Sequence, residues 1–403
     1  MVTHDELPGV RQPGLLQGWT LVASAWLAVF ASGALIGPIL PRMSEHFSSL
    51  PHLEVLISLV ATLPSLFVAV LAVPFGLLAD RIGHRRVLFW ATLFYAVLGM
   101  APYGLASLPA IVISRAGVGI AEAAIMTCGA ALIGRYFRGR HSARWYALQT
   151  GTAPIAALVA ITLGGSLGER DWHAPFLVYS FGLVLFVAVA TLLWEPRPEI
   201  AGTQTALAQG QAHIRWPRLL GICAITIFAL SAFLVTVIQT GFLLTERGIP
   251  SPRLIGLGQG LASLANPAGA LLFGVWRAAV RPKLTLSLLL MAGGFGVIAL
   301  EPSWQAALAG AAIANLGCGM ILPTLITWAL DGMPDAVRGA GTGTWMCASF
   351  LGQFISPLSI VWLKHWSGSL SGAVLCYALA CTVAGLIALL SVWSLWRRPA
   401  QAS

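Results

Sequence analysis

The chain of 403 residues is 58% hydrophobic and only 9% charged, with a mean hydropathy of +0.83 and a formal net charge of +9. A water-soluble protein of this length could not solvate its surface with so few charges, whereas a lipid bilayer accepts an apolar exterior. The 43 glycines and 15 tryptophans fit the same medium, where small residues let helices approach and indoles anchor at interfaces.

A membrane-spanning helix needs roughly 20 apolar residues. Such runs recur at 18–40, 53–78, 87–106, 108–133, 143–167, 174–194, 218–244, 254–276, 283–300, 304–330, 337–363 and 370–396. The first ends in Gly37-Pro38-Ile39-Leu40-Pro41 without a small-residue cleavage pattern and is expected to be a retained helix. The expected fold is an all-α polytopic membrane protein with twelve transmembrane helices. With both ends inside, 17 Lys and Arg residues fall on the inner side, including Arg81, Arg85, Arg86, Arg135 and Arg140. Five fall outside: Arg42, Arg170, Arg247, Arg253 and Lys364. This asymmetry predicts cytoplasmic termini. It also accounts for the positive charge without nucleic acid, since the basic residues are spread over short loops rather than gathered in one patch.

After the second run the chain reads Gly76-Leu77-Leu78-Ala79-Asp80-Arg81-Ile82-Gly83-His84-Arg85-Arg86. Gly76 is expected to let two helices approach, Gly83 to permit a tight turn, and the basic residues to hold the loop at an anionic leaflet. Asp80 is the one acid among them. The fourth run carries Arg115-Ala116-Gly117-Val118-Gly119-Ile120-Ala121-Glu122-Ala123. Arg115 and Glu122 are the charges placed well inside a span, each costing roughly 2.5–3.5 kcal/mol at a helix centre. Two turns apart, they share a face, about 10 Å apart along the axis. Glu122 lies at mid-helix, a depth suited to a proton; a structural ion pair with Arg115 is the alternative. In the fifth run Pro154 predicts a kink, within Gly151-Thr152-Ala153-Pro154-Ile155-Ala156-Ala157.

The one long polar connection, 195–217, separates six spans from six. The expected organisation is a bundle over 1–194, a cytoplasmic linker over 195–217 and a second bundle over 218–403. Shifting the chain by 200 positions overlays 115–158 on 315–358 without a gap. Arg115 and Gly119 meet Asn315 and Gly319, Arg138-Gly139 meets Arg338-Gly339, and Trp145 meets Trp345. Two pseudo-symmetric bundles enclosing a midplane site are an arrangement for alternating access. In the second half Pro357 predicts a kink matching that at Pro154. The loop from Gly274 to Lys283 keeps basic residues but lacks the acid. The polar and aromatic groups expected at a substrate cavity are Trp26, Gln239, Asn266, Asn315, Trp345 and Gln353. Such a lining, apolar and sparsely charged, suits an amphipathic or weakly anionic molecule better than a sugar. The six cysteines, Cys128, Cys223, Cys318, Cys347, Cys376 and Cys381, all fall inside spans and read as small buried hydrophobes, not as disulfides or a metal site.

The loop at 76–86 closely resembles the signature of the major facilitator superfamily, Gly-x-Leu-Ala-Asp-Arg-x-Gly-Arg-Lys, with His84 and Arg85 at the last two positions. The resemblance implies the two-bundle fold and a latch role for Gly76, Asp80, Arg81, Gly83 and Arg85 on the cytoplasmic side. Arg115-x-x-x-Gly119 looks like a second motif of the family, which implies proton coupling. The Glu122-Ala123 that follows is similar to the fourth helix of Spinster-type members, although Ala121 stands where those have Gly. The antiporter signature, Gly-x-x-x-Gly-Pro-x-x-Gly-Gly, keeps its Pro at Pro154 but not its glycines. The expected function is therefore secondary transport, as proton-coupled efflux from the inner membrane of a bacterium-like cell by a monomer without cofactors. Proton symport or uniport uptake is the alternative. A non-transporting receptor or an intramembrane enzyme is a remote third, since no protease, esterase or phosphate-loop motif occurs.

Overall fold

The computed structural model describes residues 13–137, 139–196 and 214–396. The apolar runs reappear in order as helices, and no strand occurs among the described residues. The first crossing is broken. α1 (Leu15–Ala31) stops at Ser32, whose ψ of 170° is extended, and the chain continues as α2 (Gly33–Ile36), a 3-10 turn over Gly37–Ile39 and α3 (Leu40–His46). The two parts are bent by 52°. There follow α4 (Leu53–Ile82), α5 (His84–Met100), α6 (Leu108–Tyr136), α7 (Arg140–Gly168) and α8 (Phe181–Leu192), the last preceded by a 3-10 stretch over Ala174–Ser180.

The second series is α9 (Trp216–Glu246), α10 (Pro252–Ser263), α11 (Ala265–Val275), α12 (Val280–Leu300), α13 (Trp304–Leu330), α14 (Asp335–Ser367) and α15 (Leu370–Trp396). Among the described residues, ten helices are long and apolar enough to cross a membrane, and the bent first segment is an eleventh. The run expected at 254–276 is divided into α10 and α11, of 12 and 11 residues, and together they complete twelve. Pro267 explains the division: it lacks the amide that the Ser263 carbonyl would accept, and its ring crowds that carbonyl. Most of the expected linker, 197–213, lies outside the described residues, as do Arg11, Arg138, Arg397 and Arg398.

Apolar side chains such as Val70, Trp90, Ile113, Val184, Leu271 and Ile387 face outward, as a lipid-facing surface requires. Inside are two large buried clusters. One runs from Leu21 to Leu193 with Leu234 and Ile238; the other runs from Leu219 to Ala388. The 200-residue repeat has a structural counterpart. A Cβ added to Gly119 would stand 2.5 Å from the Cα of Pro64 in α4, and one added to Gly319 would meet the Asn266 carbonyl in α11. Two residues earlier, a Cβ on Gly117 would meet Leu98 of α5, and one on Gly317 would stand 2.5 Å from the Ser287 carbonyl of α12. The paired Gly-x-Gly thus seats the fourth and tenth crossings between equivalent neighbours in both halves. Trp145 and Trp345 are both buried at the start of the fifth and eleventh crossings. Gly76 behaves otherwise than expected, because a Cβ there would make only an ordinary 3.5 Å contact with Thr127.

The halves meet at one end. There Glu54 of α4 bonds Lys364 of α14, and Glu169 after α7 bonds Ser251 before α10. At the opposite end the ion pairs among the described residues stay within a half: Asp80 with Arg135, and Arg218 with Asp331. Between His141 and Gly151, toward that end of α7, Trp145 is the one buried residue.

Overpacking a tight helix contact costs about 1–3 kcal/mol. Gly119→Val and Gly319→Val should each lower thermal stability in detergent by that order. Gly293→Val, where a Cβ meets nothing within 4 Å, should stay within about 0.5 kcal/mol of the parent. Equal losses at all three would contradict the seating described.

Candidate functional site

The site begins with backbone groups that have lost their partners. A helix that stops leaves its last carbonyls without amides, and α1 stops at Ala31 in the middle of the first crossing. In α4, Pro64 has no N–H, so the Val60 carbonyl four residues before it is also orphaned. Arg115 of α6 meets both. Its Nη2 donates to the Ala31 carbonyl at 2.5 Å and its Nε to the Val60 carbonyl at 3.0 Å. Nη1 donates to the Tyr179 hydroxyl at 2.7 Å, and that hydroxyl donates to the Phe30 carbonyl at 2.9 Å. Tyr95 adds a bond to the Leu27 carbonyl at 2.6 Å. The guanidinium also lies 5.1 Å from the Tyr179 ring centroid, a cation over an aromatic face, and at the negative end of α1. Arg115 is fully buried.

The spacing of Arg115-x-x-x-Gly119 now has a physical reason. Arg115 bonds the carbonyl that Pro64 orphans, and Gly119, one turn on, lies against Pro64 itself. A residue at i and one at i+4 on α6 match the carbonyl at i and the proline at i+4 on α4.

Glu122 shares the face of Arg115, as expected, but no hydrogen bond or ion pair joins them among the described contacts. It is 3% exposed, and its Oε2 is buried without a hydrogen-bond partner. An ionised carboxyl is costly to bury in that condition. Arg115, Tyr95 and Tyr179 lie within electrostatic reach. The equivalent region of the second half is neutral. Asn315 stands where Arg115 would and donates to the Ala311 carbonyl of its own helix at 2.9 Å. Tyr377 instead joins the Ser231 and Ser359 hydroxyls, each at 2.5 Å.

At the Asp80 end, Asp80 accepts from Arg135 at 3.0 Å and lies 3.6 Å from His84. Gly83 has φ +104°, open to glycine, and a Cβ there would also stand 2.7 Å from Glu195 Oε2. Glu195, expected to begin the linker, is instead seated on the N-terminus of α5, accepting from the His84 and Arg85 amides, both at 2.9 Å. Arg85 donates to the Ala190 carbonyl at 2.7 Å, while Arg81 is exposed. In the second half Lys283 is buried, donating to the Phe273 carbonyl at 2.9 Å.

The expected cavity residues do not converge. Gln239 is 6% exposed and lines a cavity of about 110 Å³ with Ser44, Glu54 and Lys364, between the halves at the end where they meet. That space is below the roughly 300 Å³ at which ligand-binding pockets begin. Trp26 is half-buried and donates to Thr152 at 3.0 Å, bridging α1 and α7. Trp345 is buried, donating to Thr226 at 3.1 Å. Asn266 and Gln353 are half-buried on α11 and α14, and Pro154 and Pro357 lie inside continuous helices. Tyr179, Tyr95 and Glu195 were missed by sequence reasoning. Pro64 and the glycines around Ser32 were the available signals, since each announces backbone that needs a partner.

Leaving a buried polar group unpaired costs about 1–3 kcal/mol. Arg115→Lys, which cannot span all three acceptors, should therefore destabilise the protein by at least that order. Pro64→Ala restores an amide for the Val60 carbonyl, so in that background the same change should cost about 1 kcal/mol less. Additive losses in thermal unfolding of the four proteins would rule out the shared carbonyl.

Against known proteins, residues 21–242 match the family described as Major Facilitator Superfamily. The chain is 24% identical over 298 residues to the 3-(3-hydroxy-phenyl)propionate transporter of Escherichia coli (strain K12), covering 70% of this chain and 71% of that one. It is 27% identical over 214 residues to the probable sugar efflux transporter of Helicobacter pylori (strain G27), covering 50% and 52%. Its fold is similar to that of a bacterial homologue of the human lysosomal transporter Spinster in an inward-facing and occupied conformation, with a TM-score of 0.73 at 15% identity over 96% of this chain and 98% of that one. Family and fold are those of transporters, not enzymes. With two six-helix halves, the loop motif at 76–86 and a family match over more than half its length, the chain belongs to the major facilitator superfamily.

Proposed function

We propose that this protein is a proton-coupled secondary transporter that moves a small amphipathic or weakly anionic organic molecule by alternating access, with Glu122 as the proton site. The observation that carries the reading is the buried Oε2 of Glu122, which has no hydrogen-bond partner. A proton there removes a costly charge, so two states that surround Glu122 differently bind the proton with different affinity. Arg115 acts by holding α1, α4 and Tyr179 around that carboxyl.

The proposed coupling is proton antiport and the proposed direction is efflux, the direction alone being supported by the name of the Helicobacter relative. The Escherichia relative is named for a phenylpropionate, an amphipathic weak acid of the class proposed here. Symport or uniport is the second reading, favoured by the missing glycines around Pro154. Trp26, Gln239, Asn266, Asn315, Trp345 and Gln353 are kept as substrate-contact candidates for a state in which the halves are arranged differently. The proposed setting is the inner membrane, as a monomer, with the Asp80 end and both termini in the cytoplasm, supported by the basic-residue asymmetry. In that orientation the described arrangement opens inward.

Glu122→Gln should abolish proton-driven uphill transport in proteoliposomes while leaving counterflow exchange largely intact. The candidate substrate for that assay is a phenylpropionate. Uphill transport retained by Glu122→Gln would remove the proton role.

The loop of Gly76, Asp80, Arg81, Gly83 and Arg85 is the proposed latch of the Asp80 end when the halves close there. Asp80→Asn should then raise labelling of a Gly151→Cys reporter about two- to fivefold, the scale of an exposed ion pair, and lower turnover. In cells the reporter should react only with reagents that enter the cytoplasm. Unchanged labelling would count against the latch, and reaction with an impermeant reagent would reverse the orientation.

A further inference from the structure

At the end where the halves meet, α7 and α10 make a contact built in layers. A Cβ on Gly165 would stand 2.5 Å from the Pro252 carbonyl, and one on Gly256 would stand 2.8 Å from the Ile161 carbonyl. The two backbones therefore touch without side chains between them. One turn on, α7 ends, and Arg42 of α3 meets its last carbonyls, donating to Gly168 at 3.0 Å and Glu169 at 2.8 Å. With its backbone fixed in this way, Glu169 reaches into the opposite half. Its Oε2 accepts from the Ser251 hydroxyl at 2.7 Å and from the Arg253 amide at 3.1 Å, while Oε1 lies 3.9 Å from Arg42. Ser251 is the N-cap of α10, so a carboxylate of the first half completes the positive end of a helix in the second.

We propose that Glu169 is the positioning residue of this gate, its bonds to Ser251 and Arg253 setting the balance between the state closed at this end and the state open there. The inference rests on the alternating-access reading above. Three features of this end could hold it shut, and they differ in kind. The glycine seam allows close approach but supplies only dispersion. The Glu54–Lys364 bridge joins α4 to α14 at 2.6 Å, but it is a single pair between the tips of two long side chains, and such pairs contribute little. Glu169 supplies two charge-assisted bonds to groups that move with the other half.

The charged groups facing it are Arg42 and Arg253. The Ser251 hydroxyl first, then the Arg253 amide, hold its carboxyl below the usual carboxylate range. A group lowered in this way contributes above its ordinary value and is lost only as pH falls through the lowered one. The gate therefore stays locked in neutral and mildly acidic media, and the lock is separate from the proton step proposed at Glu122.

The test uses purified full-length protein in detergent, where both ends are reachable and no substrate or gradient is needed. Ser44→Cys, in the cavity beneath this end, and Gly151→Cys, toward the other, are labelled with a maleimide in separate samples. Glu169→Ala should raise the Ser44→Cys rate roughly tenfold and lower the Gly151→Cys rate. Ser251→Ala should do the same more weakly. Glu169→Gln, which keeps an oxygen able to accept both bonds, should fall between parent and Glu169→Ala. Asp171→Ala, whose carboxyl bonds His173 in its own half, should change neither rate. An unchanged Ser44→Cys rate in both Glu169→Ala and Ser251→Ala overturns the proposal, as does a rise at both ends, which would mean general loosening. A rise at Ser44→Cys with no change at Gly151→Cys keeps Glu169 as the gate residue and instead removes the reciprocal two-state reading.

Discussion

A carbonyl without an amide has nowhere to turn in lipid, because no water is present to replace the missing bond. Two such interruptions lie side by side in the first half, the break of α1 at Ser32 and the loss of an amide at Pro64. Everything distinctive about the site follows from how they are met. One guanidinium reaches both, with Tyr179 bridging to a third carbonyl. The arrangement holds a cation at depth without a carboxylate partner. It thereby leaves Glu122, two turns away on the same helix, with nothing to bond its Oε2.

The two halves share a scaffold but not a chemistry. Gly117 and Gly119 seat α6 between α5 and α4, and Gly317 and Gly319 seat α13 between α12 and α11. What fills the frame differs. The first half holds an arginine and a carboxyl; the second holds an asparagine bonded to its own helix and a group of hydroxyls around Tyr377. The break in the first half is answered by charge. In the second, α9 runs unbroken from Trp216 to Glu246, so no carbonyl of that helix needs a distant cation.

The ends are likewise unequal. Where the halves meet, Glu169 and Glu54 bond across the boundary. At the other end Asp80, Arg135, Glu195, Arg218 and Asp331 are satisfied within their own halves. Glu195 is instructive. Seated on the first amides of α5, it fixes the motif loop to the end of the sixth crossing, so Gly83 is bound by both its positive φ and the carboxyl beside it. The loop is thus held as a rigid unit on one half while the polar face of Asp80 remains exposed.

Hydropathy alone determined the helical class, the order of the crossings and nearly all their limits, because a span must be apolar over its whole length. The loop motif and the 200-residue repeat were legible for a similar reason: they use residues with few substitutes, glycine at close contacts and a buried charge that is costly unless employed. The depth and shared face of Arg115 and Glu122 also followed from helical periodicity. Their partners did not. Which carbonyl Arg115 would meet depended on Pro64 and Ser32, 51 and 83 positions away, falling beside it in space. The docking of Glu195, the crossing of Glu169 onto α10 and the separation of the expected cavity residues were decided only by the tertiary structure. A side chain's partner is fixed by how helices are arranged, and hydrophobic period gives each helix a face without saying what that face will meet.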